Sequence, residues 1–572
     1  MLSSTSVAKS PSQKFIFIFL IIWFLVNLVQ ASFMELHPDE AYYWVYSRFL
    51  DWGYFDHPPM VALFIKAGDN LFQNKLGLRF LTVICSTLSV YLLWQIVKKY
   101  AENAVLFILL FSCFVLFHMY GFITTPDSPL LLFSILFFYL YQRYSRKDSY
   151  TLAVLLAVVI ACMMYSKYHG ILVLFFTILS NFKLLKRPSF WLIVVVALAV
   201  YMPHILWQID NGYPSVHYHL FDRSARPYKV NFTLEYILGQ VLLAGPLIGW
   251  YFYAKGYKVK ADDAFLRAIK FNCYGIFLFF LLSTFKGRVE AHWTMIAYPP
   301  LFILSYCYLS QLVVVPVWVR RLVLTSVALI LLARIILLVP GPLADKLRPL
   351  REYSGSEVWA RQIKEKSGDS YVVFNQGFQE PSKFNFYNRT LKGFACNSRY
   401  YRKNQYDIWP IEDSLRNKRV YYVIPYSHGE VPQDSFPTSK GMYYGRYLEE
   451  VRLYQKVNIV TELPEEDWKA GETVQVLLEI QNPYNEAISF SNEGERWNAF
   501  FEYTFVKDGV IGDFYPIPEN MQLLRIPAKG NVTVPVSVKA PAEPGDYYLF
   551  FSIRTEPFPG ARNSKMIKVE IE

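Results

Sequence analysis

The feature that most constrains this chain is a succession of apolar runs, each near the length of a bilayer crossing, that fills residues 15–340 and then stops. A hydrocarbon core about 30 Å thick takes roughly 20 apolar residues per helix. Candidate spans lie near 15–33, 78–97, 103–120, 128–142, 150–165, 170–182, 189–206, 234–253, 271–285, 294–312 and 322–340, about eleven in all. Charge divides at the same place. Residues 1–340 hold 28 Lys+Arg against 15 Asp+Glu, whereas the remainder holds 29 against 31. A basic excess confined to the apolar half marks a membrane protein with a near-neutral soluble tail. A nucleic-acid binder would instead gather its bases on an aqueous face. Charged residues make up 18% of the chain, below the roughly 25% of soluble proteins, which excludes a disordered chain. Five of the six cysteines lie in apolar runs and none forms a metal-binding or disulfide pattern.

The run at 15–33 exceeds the roughly 7–15 residues of a signal-peptide core, so it is expected to stay as a helix. With the N-terminus cytoplasmic, the inside loops collect 17 Lys and Arg, from Lys9 and Lys14 to Arg320 and Arg321. The positive-inside rule then puts the C-terminal tail on the opposite, non-cytoplasmic face of the membrane. The expected architecture is a polytopic helical domain over residues 1–345, an α/β segment over 346–455 and an immunoglobulin-like β-sandwich over 456–572. The α/β segment rests on a helical stretch from Glu357 to Lys366 and strands at 371–374 and 420–424. Alternating strands at 473–480, 531–538 and 547–553 suggest the sandwich.

Chemistry concentrates in the loops of one face. After the first span come His37-Pro38-Asp39-Glu40-Ala41-Tyr42-Tyr43-Trp44 and Asp56-His57-Pro58-Pro59, with amphipathic segments at 41–50 and 60–72 suited to the membrane interface. Asp127 follows the third span, Lys167 and His169 the fifth, and Lys286, Arg288, Glu290 and His292 the ninth. Each has an ordinary structural reading. Asp39, Glu40, Asp56 and Asp127 stand where helix caps stand, and Lys167, Lys286 and Arg288 could snorkel to lipid phosphates. Acids and bases converging from four loops on one leaflet are costly unless paired, and such groups are usually functional. Arg334, inside the last span, is expected to snorkel outward.

These stretches carry a resemblance. The first-loop pair of motifs, the turn Thr125-Pro126-Asp127-Ser128-Pro129, and Lys286-Gly287-Arg288-Val289-Glu290-Ala291-His292-Trp293 before a span with Tyr298-Pro299-Pro300 are similar to the multi-spanning GT-C glycosyltransferases. The branch they resemble contains the protein O-mannosyltransferases and the lipid A aminoarabinose transferase, and the likeness covers about residues 10–340. It implies a sugar donor carried on polyprenyl phosphate and transfer on the non-cytoplasmic face to a lipid, glycan or protein. It also implies that Asp39 is the catalytic base, with Glu40 its motif neighbour and Asp127 the second acid. Asp56 and His57 occupy the place where relatives often carry an acid followed by Lys or His. Lys286, Arg288 and His292 match the basic loop that neutralises the leaving phosphate, and Lys167 and His169 join them as substrate-binding candidates. Phe374-Asn375-Gln376 to Tyr387 and Arg402-Lys403-Asn404-Gln405-Tyr406-Asp407 resemble an accessory segment of such bacterial proteins.

The physical logic holds without the family. Transfer from a lipid phosphate needs a carboxylate to deprotonate the nucleophile and cations to stabilise the departing phosphate. No P-loop or GxGxxG motif is present, which argues against a soluble nucleotide-sugar donor. Metal binding stays open: His217 and His219 near Asp222, or Asp56 and His57 near Glu40, could hold a divalent cation, and no spacing is decisive. Arg223, Arg226 and Lys229 could hold donor phosphate or acceptor. A polytopic lipid or polysaccharide transporter is the competing class, and it would bury ionisable residues at mid-span.

Overall fold

The computed structural model describes residues 11–219, 228–339, 346–375, 377–426, 434–463, 468–517 and 519–572. The chain divides into two compact units, 1–217 with 227–354, and 218–226 with 355–572.

The first unit is helical. Its elements are α1 Pro11–Phe33, α2 Pro38–Tyr46, α3 Met60–Asp69, α4 Lys75–Val97, α5 Ala104–Cys113, α6 Val115–Met119, α7 Asp127–Tyr144 and α8 Tyr150–Ser166. They continue as α9 Gly170–Ser180, α10 Pro188–Asp210, α11 Pro214–His217, α12 Val230–Ala244, α13 Gly249–Gly256, α14 Ala264–Ser283, α15 Tyr298–Ser310 and α16 Val317–Leu338. Polar residues between apolar runs set several starts: Asn74, Asn103, Ser149 and Asp263 each accept the backbone N–H three residues on. Among the described residues, α1, α4, α10, α14 and α16 are each long and apolar enough to cross a membrane.

Several expected spans are shorter or interrupted. The run at 103–120 breaks at Phe114, whose extended backbone separates α5 from α6 and turns its ring onto Phe252 of α13. The Ser112 carbonyl beside the break accepts a hydrogen bond from His118 Nε2 at 2.9 Å. The run at 234–253 bends by 89° between α12 and α13. Two glycines permit this bend. Gly245 has φ +158°, and a Cβ on Gly249 would stand 2.0 Å from the Val241 carbonyl oxygen. The run at 294–312 is an α-helix only from Tyr298, after a 3-10 turn over Ala291–Ala297. Segment 41–50 also departs from its expected amphipathic character. Ala41 to Tyr46 are all buried, so this part of α2 presents no polar face to water.

The second unit contains a mixed sheet of five strands in the order β2-β1-β3-β5-β4, from β1 Tyr371–Phe374, β2 Gly393–Ala395, β3 Val420–Ile424, β4 Asp434–Thr438 and β5 Gly441–Leu448. The helices Ser356–Ser367 and Gln379–Tyr387 pack Trp359 and Phe384 on it. Next in the chain is a sandwich. One sheet pairs Asn458–Glu462, Thr473–Gln481 and Asn531–Lys539; the other centres on Ala499–Lys507, Gly545–Thr555 and Ile567–Ile571. Both parts share buried polar ties. Glu412 accepts the Gln455 N–H at 2.8 Å and the Tyr484 hydroxyl at 2.7 Å, and Arg399 pairs with Glu502 at 2.6 Å. All six cysteines are free.

Candidate active site

The site begins where α1 ends. Pro38 opens α2 at a position that needs no N–H, and His37 caps it. Asp39 N–H donates to His37 Nδ1, while Glu40 Oε2 accepts the His37 N–H at 2.8 Å. This capping box aims the two adjacent carboxylates at different surroundings.

Glu40 has no accessible surface. Its Oε1 accepts Arg79 Nε and the Thr124 N–H, each at 2.8 Å, and its Oε2 accepts Arg79 Nη2 at 2.6 Å. Arg79 gives its remaining donors to the carbonyls of Ala31, Met34 and Glu35 at 2.8–3.2 Å. Both members of this buried pair are therefore saturated. Together they join the end of α1, the start of α4, α2 and the turn before α7. Sequence reasoning missed Arg79; its one signal was a lone arginine in the first turn of an otherwise apolar run.

Asp39 keeps 34% of its side chain accessible and sits at the positive end of α2, where a carboxylate is stabilised. Asp127 opens α7 without capping it, and it takes Lys167 Nζ on both oxygens at 2.8 and 2.9 Å. His292 Nε2 stands 3.9 Å from Asp127 Oδ2. Burial drives the His292 imidazole down to about 4 against the pull of Asp127, with Lys167 adding to the fall. With its side chain 39% exposed, the ring is neutral at pH 7.

Tyr43 lies within the field of several carboxylates of this region. Burial and the fields of Asp39, Asp56 and Asp127 hold its phenol well above the usual range, so it remains a hydrogen-bond donor among three carboxylates. Asp56 accepts the Tyr46 hydroxyl, and the His57 ring stands edge-on to Tyr43 at 5.7 Å. Tyr120 lies 6.4 Å from His292, ring to ring, and Tyr353 lies 6.1 Å from His37. None of these tyrosines was singled out from sequence, because in a chain with 43 tyrosines they carry no distinguishing pattern.

The other expected site residues lie around this centre. His169 packs against Trp293 and Phe280, behind the loop that presents His292. That loop is anchored by Gln240 of α12, which donates to the Ala291 carbonyl and accepts from the hydroxyls of Thr294 and Tyr298. Lys286 is exposed, and Arg288 is an exposed cation shared by Glu235 and Glu290 at 3.5 and 3.8 Å. His217 ends α11 and Lys229 is exposed, whereas Asp222, Arg223 and Arg226 lie outside the described residues, as does Gln376. Among the described residues no three His, Cys, Asp or Glu side chains converge to hold a metal ion.

Arg334 overturns its expectation. It does not snorkel but turns inward, 6% exposed, and donates to Asn27 at 2.8 Å, His118 at 3.2 Å and Gln30 at 3.4 Å. Asn27 and Gln30, three residues apart on one face of α1, offer it acceptors that lipid does not.

Comparison with known proteins bears on the fold. A family model described as dolichyl-phosphate-mannose-protein mannosyltransferase matches residues 56–207. The crystal structure of ArnT from Cupriavidus metallidurans in the apo state is similar at 14% identity and TM-score 0.56, over 76% of this chain and 98% of that one. The same protein bound to undecaprenyl phosphate gives 15% identity and TM-score 0.54 over the same shares. The S. cerevisiae Pmt1-Pmt2 complex bound to the sugar donor matches over 37% of this chain and 34% of that one, at 14% identity and TM-score 0.28. Among curated proteins none matches. The chain is a multi-pass membrane protein that shares its fold with ArnT.

Proposed function

We propose that this protein transfers a sugar from a polyprenyl-phosphate donor to a hydroxyl of a lipid, glycan or protein on the periplasmic face of a bacterial inner membrane. The observation that carries the reading is the Asp127–Lys167–His292 cluster together with the accessible Asp39 carboxylate, whose field reaches both His292 and Tyr43. The ArnT fold and the undecaprenyl phosphate bound to that relative support the donor class.

Asp39 takes the proton of the acceptor hydroxyl as its oxygen attacks the anomeric carbon. The bond to the phosphate oxygen breaks, and polyprenyl phosphate departs with the electron pair. Lys167 balances the charge that develops on the phosphate, with Lys286 and Arg288 as outlying cations, while Tyr43 and neutral His292 direct hydrogen bonds. A single displacement with one base inverts the anomeric configuration. General-base assistance of this kind is worth roughly 10²–10⁴-fold. Glu40 and Arg79 hold the frame and do not touch substrate.

The test uses the full chain in nanodiscs with a panel of polyprenyl-phosphate sugars and a membrane extract as acceptor source, following release of free polyprenyl phosphate. Release with one sugar, abolished by Asp39→Asn and Asp127→Asn at normal folded yield, is expected. No release with any donor, together with movement of labelled lipid across the bilayer, would establish the transporter instead.

A further inference from the structure

The last span is joined to two of the interruptions described above, at Phe114 and at the bend between α12 and α13. Its buried side is one stripe, Val319, Val323, Ser326, Ile330 and Arg334, at the three- and four-residue spacing of a helix face. Elsewhere α16 is largely exposed, through Leu324, Leu331, Leu332 and Ile335 among others. A helix held only by packing would fill that stripe with apolar residues. Two of the five are polar, and each reaches a broken span.

Arg334 reaches the first break. Its Nη1 donates to His118 Nδ1 at 3.2 Å, and His118 Nε2 donates to the Ser112 carbonyl beside the interruption at Phe114. With one ring nitrogen accepting and the other donating, His118 is neutral, and Arg334 meets no carboxylate among its described partners. Its guanidinium lies 5.9 Å from the Trp23 ring and 5.3 Å from that of Phe122, and the far neighbour of Phe122 is Arg79, at 5.7 Å. Ser326 reaches the second break, where its Oγ accepts the Leu247 N–H at 3.3 Å within the bend between α12 and α13. A buried charge inside a membrane domain is expensive, and here it fixes geometry.

Each break leads into the site. α6 runs directly into Tyr120 to Asp127, the turn that bonds Glu40 through the Thr124 N–H. α12 carries Gln240, which anchors the loop presenting His292. We propose that Arg334 and Ser326 are positioning residues: through the two interruptions, the last span sets where Asp127 and His292 stand. Neither touches substrate. The kinetic part of the test rests on the transferase reading above; the exchange part does not.

The experiment compares Arg334→Met, Arg334→Lys and Ser326→Ala with wild type, full length in nanodiscs. The first readout is amide hydrogen exchange in peptides covering 119–127 and 286–298, with the turns at 98–103 and 145–149 as controls. The second is kcat and KM for the lipid donor. Displacing a reacting group by about 1 Å costs on the order of 100-fold in rate. Arg334→Met is therefore expected to lower kcat by about 10- to 100-fold with KM changed less than about 3-fold, and to speed exchange only in the two site peptides. Arg334→Lys keeps the charge but not the fork that serves three acceptors, and should fall between. Ser326→Ala should affect 286–298 more than 119–127. Exchange rising equally in site and control turns would show a merely structural role. Unchanged exchange and kcat in the two milder variants would overturn the proposal, even if Arg334→Met fails to fold. Absence of transfer in wild type would sink the transferase reading and leave the exchange result to decide this one.

Discussion

Two buried ion pairs lie within one site and differ in what they have left to offer. Glu40–Arg79 is sealed, both side chains without accessible surface and every donor of Arg79 bound. Asp127–Lys167 is nearly as buried, at 5% and 7% of side-chain surface, but it stands 3.9 Å from a half-exposed neutral imidazole that also feels the accessible Asp39. The sealed pair can only hold the frame. The open pair can exchange a partner when a phosphate arrives, because a lysine ammonium is a point charge with rotatable donors, whereas the Arg79 fork is fixed. Burial of a charge therefore does not by itself distinguish scaffold from chemistry; unused hydrogen-bonding capacity does.

The largest expected effect comes from breaking the sealed pair. Glu40→Ala strands a guanidinium that cannot shed its proton, at a cost of about 3–5 kcal/mol. It should cut the yield of folded protein, measured by size-exclusion chromatography and thermal unfolding. Asp127→Asn should cost less stability, since the amide keeps an oxygen that can accept from Lys167, while still abolishing transfer. Equal stability losses in the two variants would erase the contrast.

Lys167→Met sharpens the comparison from the side of the donor. It removes the cation assigned to the departing phosphate, so kcat should fall by about 10²-fold with a smaller change in KM. A rise in KM alone would make Lys167 a ground-state anchor.

The pH dependence gives smaller effects. Burial holds the His292 imidazole well below its usual range and neutral at pH 7, so His292→Asn should leave the pH–rate profile between 6 and 8 unchanged in shape. In the second unit, burial raises the Glu412 carboxyl to about 7. The folded state then binds more protons than the unfolded state between the ordinary carboxylate range and pH 7, so stability falls as pH rises through that window. Protease resistance of residues 355–572 should decline from pH 5 to 8 in wild type, and Glu412→Gln should flatten that decline.

How much the sequence disclosed depends on how local each signal is. The apolar runs and the alternating strands are local, and the helical unit and β-rich tail were legible from them. Asp39, Asp127, Lys167 and His292 were legible as polar residues ending apolar runs and converging on one face, but the pairing of Asp127 with Lys167 and His292 was not, since these come from separated segments. Glu40 could not be told from Asp39, because its role depends on Arg79, 39 residues away. The interruptions at Phe114 and Gly245 were hidden inside continuous hydrophobicity. Arg334 misled because its position near a helix end suggests snorkelling, while the acceptors that turn it inward lie about 300 residues earlier, at Asn27 and Gln30.

The most direct test compares the two adjacent carboxylates in one preparation, Asp39→Asn and Glu40→Gln, each scored for melting temperature and for transfer rate per folded molecule with a polyprenyl-phosphate sugar. The account predicts that Asp39→Asn melts with wild type and loses at least about 10²-fold in rate, as removal of a general base should. Glu40→Gln should lose stability first, with its remaining folded molecules closer to wild type in rate. An Asp39→Asn protein that still transfers sugar at the wild-type rate would contradict it.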